Sequence, residues 1–157
     1  MAILILGKTV CKICGNIIDN NDKFVSLPAF VFNDCDPLFF FNDSAFHENC
    51  FWTHESSKNV TERVERLFKE ISSKNRVCIV CKNQIIQPDD YLFLGFITDN
   101  TEDDISKYGY TKLHLSCLPK WKDLNNFKKL LAQSISDKAV EGSFYETILT
   151  QLNVERL

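Results

Sequence analysis

The sequence has no apolar run close to the roughly 20 residues that a membrane-spanning helix needs. It also lacks a basic amino-terminal region, and its first apolar run, residues 3–6, is too short for a secretory signal peptide. These absences argue against a membrane role and predict a cytoplasmic protein, in which cysteines stay reduced. The seven cysteines are therefore expected to be thiols or metal ligands rather than a disulfide framework. Residues 3–6 themselves predict a short strand, either buried or at the edge of a sheet.

Motifs of common hydrolytic enzymes are missing as well. The chain has neither the HExxH pair of zinc proteases nor the GxSxG turn of serine hydrolases. A zinc deaminase needs HxE and, further on, PCxxC, whereas this chain has His47-Glu48-Asn49 and Val77-Cys78 at the corresponding places. We therefore predict that the protein is not an enzyme.

What the sequence does contain is one Cys/His pattern that occurs twice. In each copy a CxxC pair is followed by HxxC after 32 residues, and the second copy starts 67 positions after the first. The candidate ligands are Cys11, Cys14, His47 and Cys50 in the first copy, and Cys78, Cys81, His114 and Cys117 in the second. Three thiolates and one imidazole close a tetrahedral shell around Zn²⁺ and leave no position for a substrate. We predict two structural zinc ions, because the alternative, a redox-active CxxC, does not account for HxxC at equal distance in both copies.

The repeat extends beyond the candidate ligands. Ile18 aligns with Ile85, and Asp22 aligns with Asp89. After each CxxC comes a polar turn and then a β-prone run, residues 24–32 and 91–97. We expect each copy to fold as a zinc turn followed by a β-hairpin.

Helical periodicity fills most of the remaining chain. Residues 57–75 place an apolar stripe on one face, and Asn59 with Glu62 predicts a capping box. Two further stripes follow Cys117, at residues 124–135 and 144–152. The predicted fold class is α+β with two tandem zinc modules and a helical C-terminus. The first module spans residues 1–76 and includes the basic amphipathic helix, and the second spans residues 77–157.

A CxxC turn, a hairpin and an HxxC pair that opens a helix together resemble the treble-clef class of zinc finger. Ligand order and spacing are similar to those of the PARP-type finger over residues 10–52 and, more weakly, over 77–121. The loop of this chain is slightly longer, and acids replace the basic DNA-facing surface of that family. LIM domains are more distant, because their second finger follows at once, whereas 27 residues separate Cys50 from Cys78. The resemblance implies the treble-clef fold and the eight metal ligands.

Charge favours a protein partner over nucleic acid. The formal net charge is −3, and two Cys₃His zinc sites would bring it to about −5. Broad affinity for phosphate backbones needs clustered Lys and Arg. We therefore predict an adaptor, inhibitor or immunity-type binder of another protein. The alternative is a nucleic-acid-binding protein that uses the basic helix 58–76, whose face includes Arg63, Arg66 and Arg76.

Three features fall outside the common zinc pattern. Residues 39–41 are three successive phenylalanines, of which at least one is expected to pack on the other module or on a partner. Cys35 aligns with Glu102, so it is predicted to be a free, partly buried thiol. His54 aligns with Trp121, so it is predicted to be a surface or capping residue rather than a ligand.

Overall fold

The computed structural model describes residues 4–153 of the chain. Within this range it has two compact units. The first comprises residues 4–31 and 37–68, and the second comprises residues 32–36 and 69–153. These units differ from the predicted modules at two places. The second unit includes residues 69–76, and it also includes the short segment 32–36 from the middle of the first repeat.

A two-stranded hairpin and two helices make up the first unit. Strand β1 (Phe24–Ser26) pairs antiparallel with β2 (Ala45–His47), and a 3₁₀ turn at Phe39–Phe41 lies between them in sequence. Helix α1 (Glu48–Thr53) follows β2, and α2 (Ser57–Ile71) begins in this unit. Aromatic rings fill the core, which includes the buried side chains of Phe30, Phe41, Phe46 and Phe51.

Strand β1 is shorter than the predicted run of residues 24–32. Leu27 still donates its N–H to the Ser44 carbonyl at 2.8 Å, and the Pro28 carbonyl accepts from the Asp43 N–H at 3.2 Å. Beyond it, the backbone amides of Phe30 and Val31 donate to the side-chain oxygen of Asn42 at 2.7 and 3.0 Å. The amide oxygen of one side chain thus replaces a strand partner.

Helix α2 ends earlier than the prediction of a helix over residues 58–76, and it starts at Ser57, so Asn59 is not its cap. Side chains bind the carbonyl groups of its last turns. Ser72 Oγ and Asn75 Nδ2 donate to the Lys69 carbonyl, and Arg76 Nε donates to the Ile71 carbonyl at 2.8 Å. These bonds stop the helix, because the carbonyls they occupy no longer need the amides of a further turn.

The second unit repeats the hairpin and adds two long helices. Strand β3 (Tyr91–Phe93) pairs antiparallel with β4 (Lys112–His114). In both hairpins the ligand-candidate histidine faces the first residue of the preceding strand, so the pairing register follows the 67-residue repeat. Short 3₁₀ helices flank the strands at Ser73–Asn75, Pro88–Asp90, Asp104–Tyr108 and Leu115–Lys120.

Helices α3 (Leu124–Ser136) and α4 (Ser143–Asn153) cover the core of the second unit, as the apolar stripes predict. Phe127 and Leu131 of α3 are fully buried. Tyr145 of α4 is also fully buried, and its hydroxyl donates to the Phe96 carbonyl at 2.7 Å. Burial raises the pKa of this phenol well above its usual range, so the hydroxyl keeps its proton and remains a donor.

Segment 32–36 is held in the second unit by the side chain of Asn33. Its amide nitrogen donates to the carbonyls of Ile97 at 3.2 Å and Ala139 at 3.1 Å. Its amide oxygen accepts from the backbone N–H groups of Cys35 at 3.1 Å and Glu141 at 2.9 Å. The buried Asn33 side chain therefore makes all four hydrogen bonds available to an amide group.

The predicted strand at residues 3–6 does not form in the described part of that run. Ile3 lies outside the described residues, and residues 4–6 have no strand structure, with Ile5 and Leu6 exposed. Among the residues that the structure describes, no helix is both long and apolar enough to cross a lipid bilayer.

Candidate metal centres

Each CxxC pair lies on a tight turn that is closed by backbone hydrogen bonds. Cys11 donates its N–H to the Asn16 carbonyl at 2.9 Å, and Gly15 donates to the Cys11 carbonyl at 2.8 Å. In the second copy the amides of Cys78 and Lys82 make the equivalent bonds, at 2.9 and 3.0 Å. The turn needs a left-handed residue, which is Gly15 at φ 75° in the first copy and Lys82 at φ 64° in the second. This backbone conformation places both thiols of each pair on the same side of the turn.

The HxxC pairs reach the CxxC turns because each hairpin ends at its histidine. His47 is the last residue of β2, and Cys50 follows within helix α1. His114 ends β4 in the same way, but Cys117 lies on a 3₁₀ helix rather than on the predicted α-helix. Pro119 explains this difference, since it lacks the N–H that an α-helical bond to residue 115 requires.

The ligand atoms of each candidate set converge on one point. In both sets all four donor atoms lie within 4.8 Å of one another. Cys14 Sγ is 3.3 Å from His47 Nδ1, while His114 Nδ1 lies 3.4 Å from Cys81 Sγ and 4.0 Å from Cys117 Sγ. Tetrahedral Zn²⁺ with its usual bond lengths separates a sulfur and a nitrogen ligand by about 3.6 Å. The spacing therefore suits a metal ion held by all four side chains.

Comparisons of the chain with protein-family models, with curated proteins and with solved structures give no match. The assignment of these centres therefore depends on their own geometry. Two Cys₃His clusters, each able to hold one metal ion, are what the structure establishes.

The two centres differ in the groups that surround them. His47 uses Nδ1 toward the cysteines, and its other nitrogen, Nε2, lies 3.3 Å from Asp22 Oδ2. A carboxylate on the far nitrogen is the usual way to orient a metal-bound imidazole. In the second copy a carboxylate acts on the backbone instead, because Asp90 accepts from both the N–H and the hydroxyl of Ser116 at 2.8 Å. That pair fixes the turn between His114 and Cys117.

The pKa values of three candidate ligands of the first centre, Cys11, His47 and Cys50, are shifted. Burial raises the pKa of the Cys11 thiol, but hydrogen bonds from backbone N–H groups, chiefly those of Cys14 and His47, lower it to about 6. The pKa of His47 rises to about 9 because its ring bonds to Cys11. Burial raises the pKa of Cys50 to about 11. A metal that binds at neutral pH must displace protons from His47 and Cys50.

The second centre repeats this asymmetry at its cysteines. Burial raises the pKa of Cys78, but backbone N–H groups, chiefly those of Cys81 and His114, lower it to about 6. Burial raises the pKa of Cys117 to about 11. At neutral pH the first cysteine of each centre is therefore a thiolate. The last cysteine is a thiol, which must lose its proton when a metal ion binds.

All eight predicted ligand residues fall into these two clusters, and their role as metal ligands stays a prediction. Cys35 is free, as predicted, but it is exposed rather than partly buried. It lies in segment 32–36 of the second unit, where its thiol donates to the Lys138 carbonyl at 3.4 Å. His54 follows α1 as its C-cap, and its Nδ1 accepts from the Ser56 N–H at 3.1 Å.

Sequence reasoning missed the carboxylates near the centres. The repeat identifies Asp22 only as a residue that aligns with Asp89, and the sequence pattern gives Asp90 no role beyond its place in a polar turn. A carboxylate in the turn before a strand that pairs with the HxxC histidine would be the signal to look for. Such a position places it beside the histidine ring or beside the following turn.

Proposed function

We propose that both centres hold structural zinc and that the modules around them are treble-clef-like. The donor set supports zinc, since three thiolates with one imidazole is a frequent structural zinc shell. A CxxC turn, a hairpin and an HxxC pair at the end of the hairpin support the treble-clef-like description. With four protein ligands each ion lacks an open position, so the role of the metal is to stabilise the fold.

On this basis we propose that the chain is a non-enzymatic interaction protein that binds another protein. The observation that carries the proposal is the exposure of two adjacent aromatic side chains in the first unit. Phe39 and Phe40 are 38% and 45% exposed, whereas the next residue, Phe41, is buried against Phe46 and Phe51. Aromatic residues are enriched in protein–protein interfaces, where they contribute much of the binding energy.

Local contacts hold one of these exposed rings in place. Lys12 Nζ donates to the Phe40 carbonyl at 3.4 Å and lies 6.0 Å from the centre of its ring. The Phe40 ring also contacts Phe41 edge-on, with 5.0 Å between ring centres. A ring that is already ordered loses less side-chain entropy when a partner covers it.

The test compares two variants in an affinity capture from the native host, followed by mass spectrometry. Phe39→Ser combined with Phe40→Ser removes the exposed rings, and Ile86→Ser removes an unrelated apolar side chain that is 76% exposed. We expect one partner protein to be lost with the phenylalanine variant and retained with the Ile86 variant, at unchanged metal content. Equal recovery of every partner by both variants would contradict the assignment of this surface.

The alternative of nucleic-acid binding through the basic helix is supported by Arg63 and Arg66, which line an open hollow of about 260 Å³ on α2. Helix α2 nevertheless has fewer of the predicted basic residues than expected. Arg76 lies beyond the end of α2 and bonds to the Ile71 carbonyl, and its guanidinium packs 5.4 Å from the centre of the Tyr91 ring. Binding of duplex or single-stranded DNA or RNA that survives 0.15 M salt and is lost on Arg63→Glu with Arg66→Glu would favour this alternative.

A further inference from the structure

The second unit has a surface beside its CxxC turn that the metal centre does not use. Ile79 lies between two candidate ligands in sequence, yet its side chain is 43% exposed. It lines two hollows, of about 390 and 250 Å³. Val80 and the largely buried Trp121 also line the smaller hollow, so its floor is apolar.

Lysines line both hollows. All five basic residues of segment 78–122 are lysines that line one of the two hollows: Lys82, Lys107, Lys112, Lys120 and Lys122. Lys112 is already neutralised, because its buried ammonium group bonds to Glu70 and to the Asn75 carbonyl. Lys107 lies 3.5 Å from Asp104, but its side chain remains 52% exposed, so this pair is weak.

The other three lysines carry the uncompensated charge. In the part of the chain that the structure describes, no carboxylate lies within 4.0 Å of the ammonium groups of Lys82, Lys120 or Lys122. One acid, Asp123, lines the smaller hollow. The two hollows together therefore remain positive although the segment 78–122 has a net charge of −1.

This surface is not a consequence of the repeated fold. The first copy has no basic residue at the positions equivalent to the five lysines, which are Gly15, Phe40, Ala45, Thr53 and Glu55. The residue equivalent to Ile79 is Lys12. The same CxxC turn thus has a lysine in one module and, in the other, an exposed apolar side chain that lines two lysine-containing hollows.

We propose that this lysine-rimmed groove, formed by Ile79, Val80, Trp121 and the lysines named above, binds an acidic segment of a partner protein that inserts one apolar side chain. The inference rests on the proposed interaction role and adds the chemistry of a partner at a second surface. Uncompensated ammonium groups complement carboxylates, and the apolar floor excludes water from an inserted side chain.

The size of the apolar hollow favours an inserted side chain over a small molecule. The apolar hollow, at about 250 Å³, is smaller than the roughly 300–1,000 Å³ of pockets that enclose small ligands. Its aromatic residue is also committed to the core, since the Trp121 ring packs 5.7 Å from Tyr108 and 5.5 Å from Phe127. Single-stranded nucleic acids instead need accessible aromatic faces on which bases stack.

The test titrates the zinc-loaded full chain with two synthetic peptides and follows its amide chemical shifts by NMR. One peptide has a leucine flanked on both sides by glutamates, and the matched peptide has glycine in place of leucine. We expect the leucine peptide to shift the amides of Ile79, Lys82 and Lys122 and to bind at least about tenfold more tightly than the glycine peptide.

Variants then separate the apolar contribution from the charge contribution. Ile79→Ser removes the apolar side chain without adding a charge, and the metal turn should tolerate it because the first module has the polar Lys12 at this position; we expect about tenfold weaker binding. Lys120→Glu with Lys122→Glu should weaken binding by about tenfold and reduce its salt dependence, whereas Lys129→Glu on α3 should change it little.

Three results would overturn the inference: no shifts at these amides, equal binding of both peptides, or displacement of the leucine peptide by a single-stranded oligonucleotide such as oligo-thymidine at lower concentration. If the leucine peptide does not bind at the groove but the Phe39/Phe40 variant still loses a captured partner, the proposed function is retained and only the groove is rejected. Peptide binding at the groove without any partner that depends on Phe39 and Phe40 would instead reject only the aromatic surface.

Discussion

Replacing Asn33 by alanine should destabilise the second unit by about 3 kcal/mol. The substitution removes four hydrogen bonds, one of which is buried while three are part-buried. A typical hydrogen bond contributes about 0.5–1.5 kcal/mol, and an orphaned buried group costs about 1–3 kcal/mol. The Ile97 carbonyl is the buried group left without its donor, while water can reach the three part-buried partners.

The repeat supplies a matched control. Asn100 aligns with Asn33 and makes the same local bond, in which its side-chain oxygen accepts from the N–H two residues later at 3.1 Å. Asn100 is exposed, and this turn is its only side-chain hydrogen bond among the described residues. We expect Asn100→Ala to cost about 0.5 kcal/mol, since it removes one exposed bond.

The two tryptophans make the assay specific to one unit. Trp52 lies in the first unit and Trp121 in the second, so Trp121 fluorescence in a Trp52→Phe background follows only the second unit. In zinc-saturated buffer, a loss of about 3 kcal/mol should lower the urea midpoint by about 1.5 M, at a denaturant dependence of about 2 kcal/mol/M. A loss no larger than that of Asn100→Ala would refute the claim that Asn33 fixes segment 32–36.

Two further predictions concern the metal centres. Asp22→Asn should weaken zinc binding at the first centre by about 10–100-fold, measured in competition with a chromophoric chelator, because it removes the carboxylate from His47 Nε2. Asp89→Asn, at the equivalent position of the second copy, should have little effect on zinc binding. Equal effects of the two substitutions would contradict the role of Asp22. Zinc binding to the metal-free chain at pH 7 should release at least the protons of His47, Cys50 and Cys117, since the pKa values of about 9, 11 and 11 lie above that pH. Calorimetry in buffers of different ionisation enthalpy measures this release, which should increase the apparent affinity as pH rises; a pH-independent affinity would contradict the protonation states described above.

The sequence predicted those features that its repeat or its local periodicity encodes. The eight candidate ligands cluster as their spacing indicated, and the strand pairing follows the same 67-residue offset. The stripes at residues 124–135 and 144–152 became α3 and α4. Each of these features is encoded either by the repeat or by apolar periodicity within one local segment of the chain.

Features that depend on distant partners were not predictable in this way. Asn33 bonds to residues more than 60 positions away, whereas Asn100, with which the repeat aligns it, makes only a local side-chain bond among the described residues. The end of α2 was missed because the side chains of Ser72, Asn75 and Arg76 compete for its last carbonyls, while the apolar stripe alone continues the helical pattern. Phe68 falls on the apolar face of residues 57–75 by helical periodicity, yet its side chain is exposed.

Native mass spectrometry of the chain, purified without added chelator, tests the central claim that both Cys₃His clusters are structural zinc centres. We expect two zinc ions per chain, and one ion for either Cys14→Ser or Cys81→Ser, with loss of folded structure confined to the unit that contains the substitution. Structural zinc of this kind contributes roughly 10 kcal/mol or more to folding, so unfolding of that unit should be complete. A wild-type chain that contains no zinc or one zinc ion, or whose mass shows an oxidised CxxC pair, would contradict it.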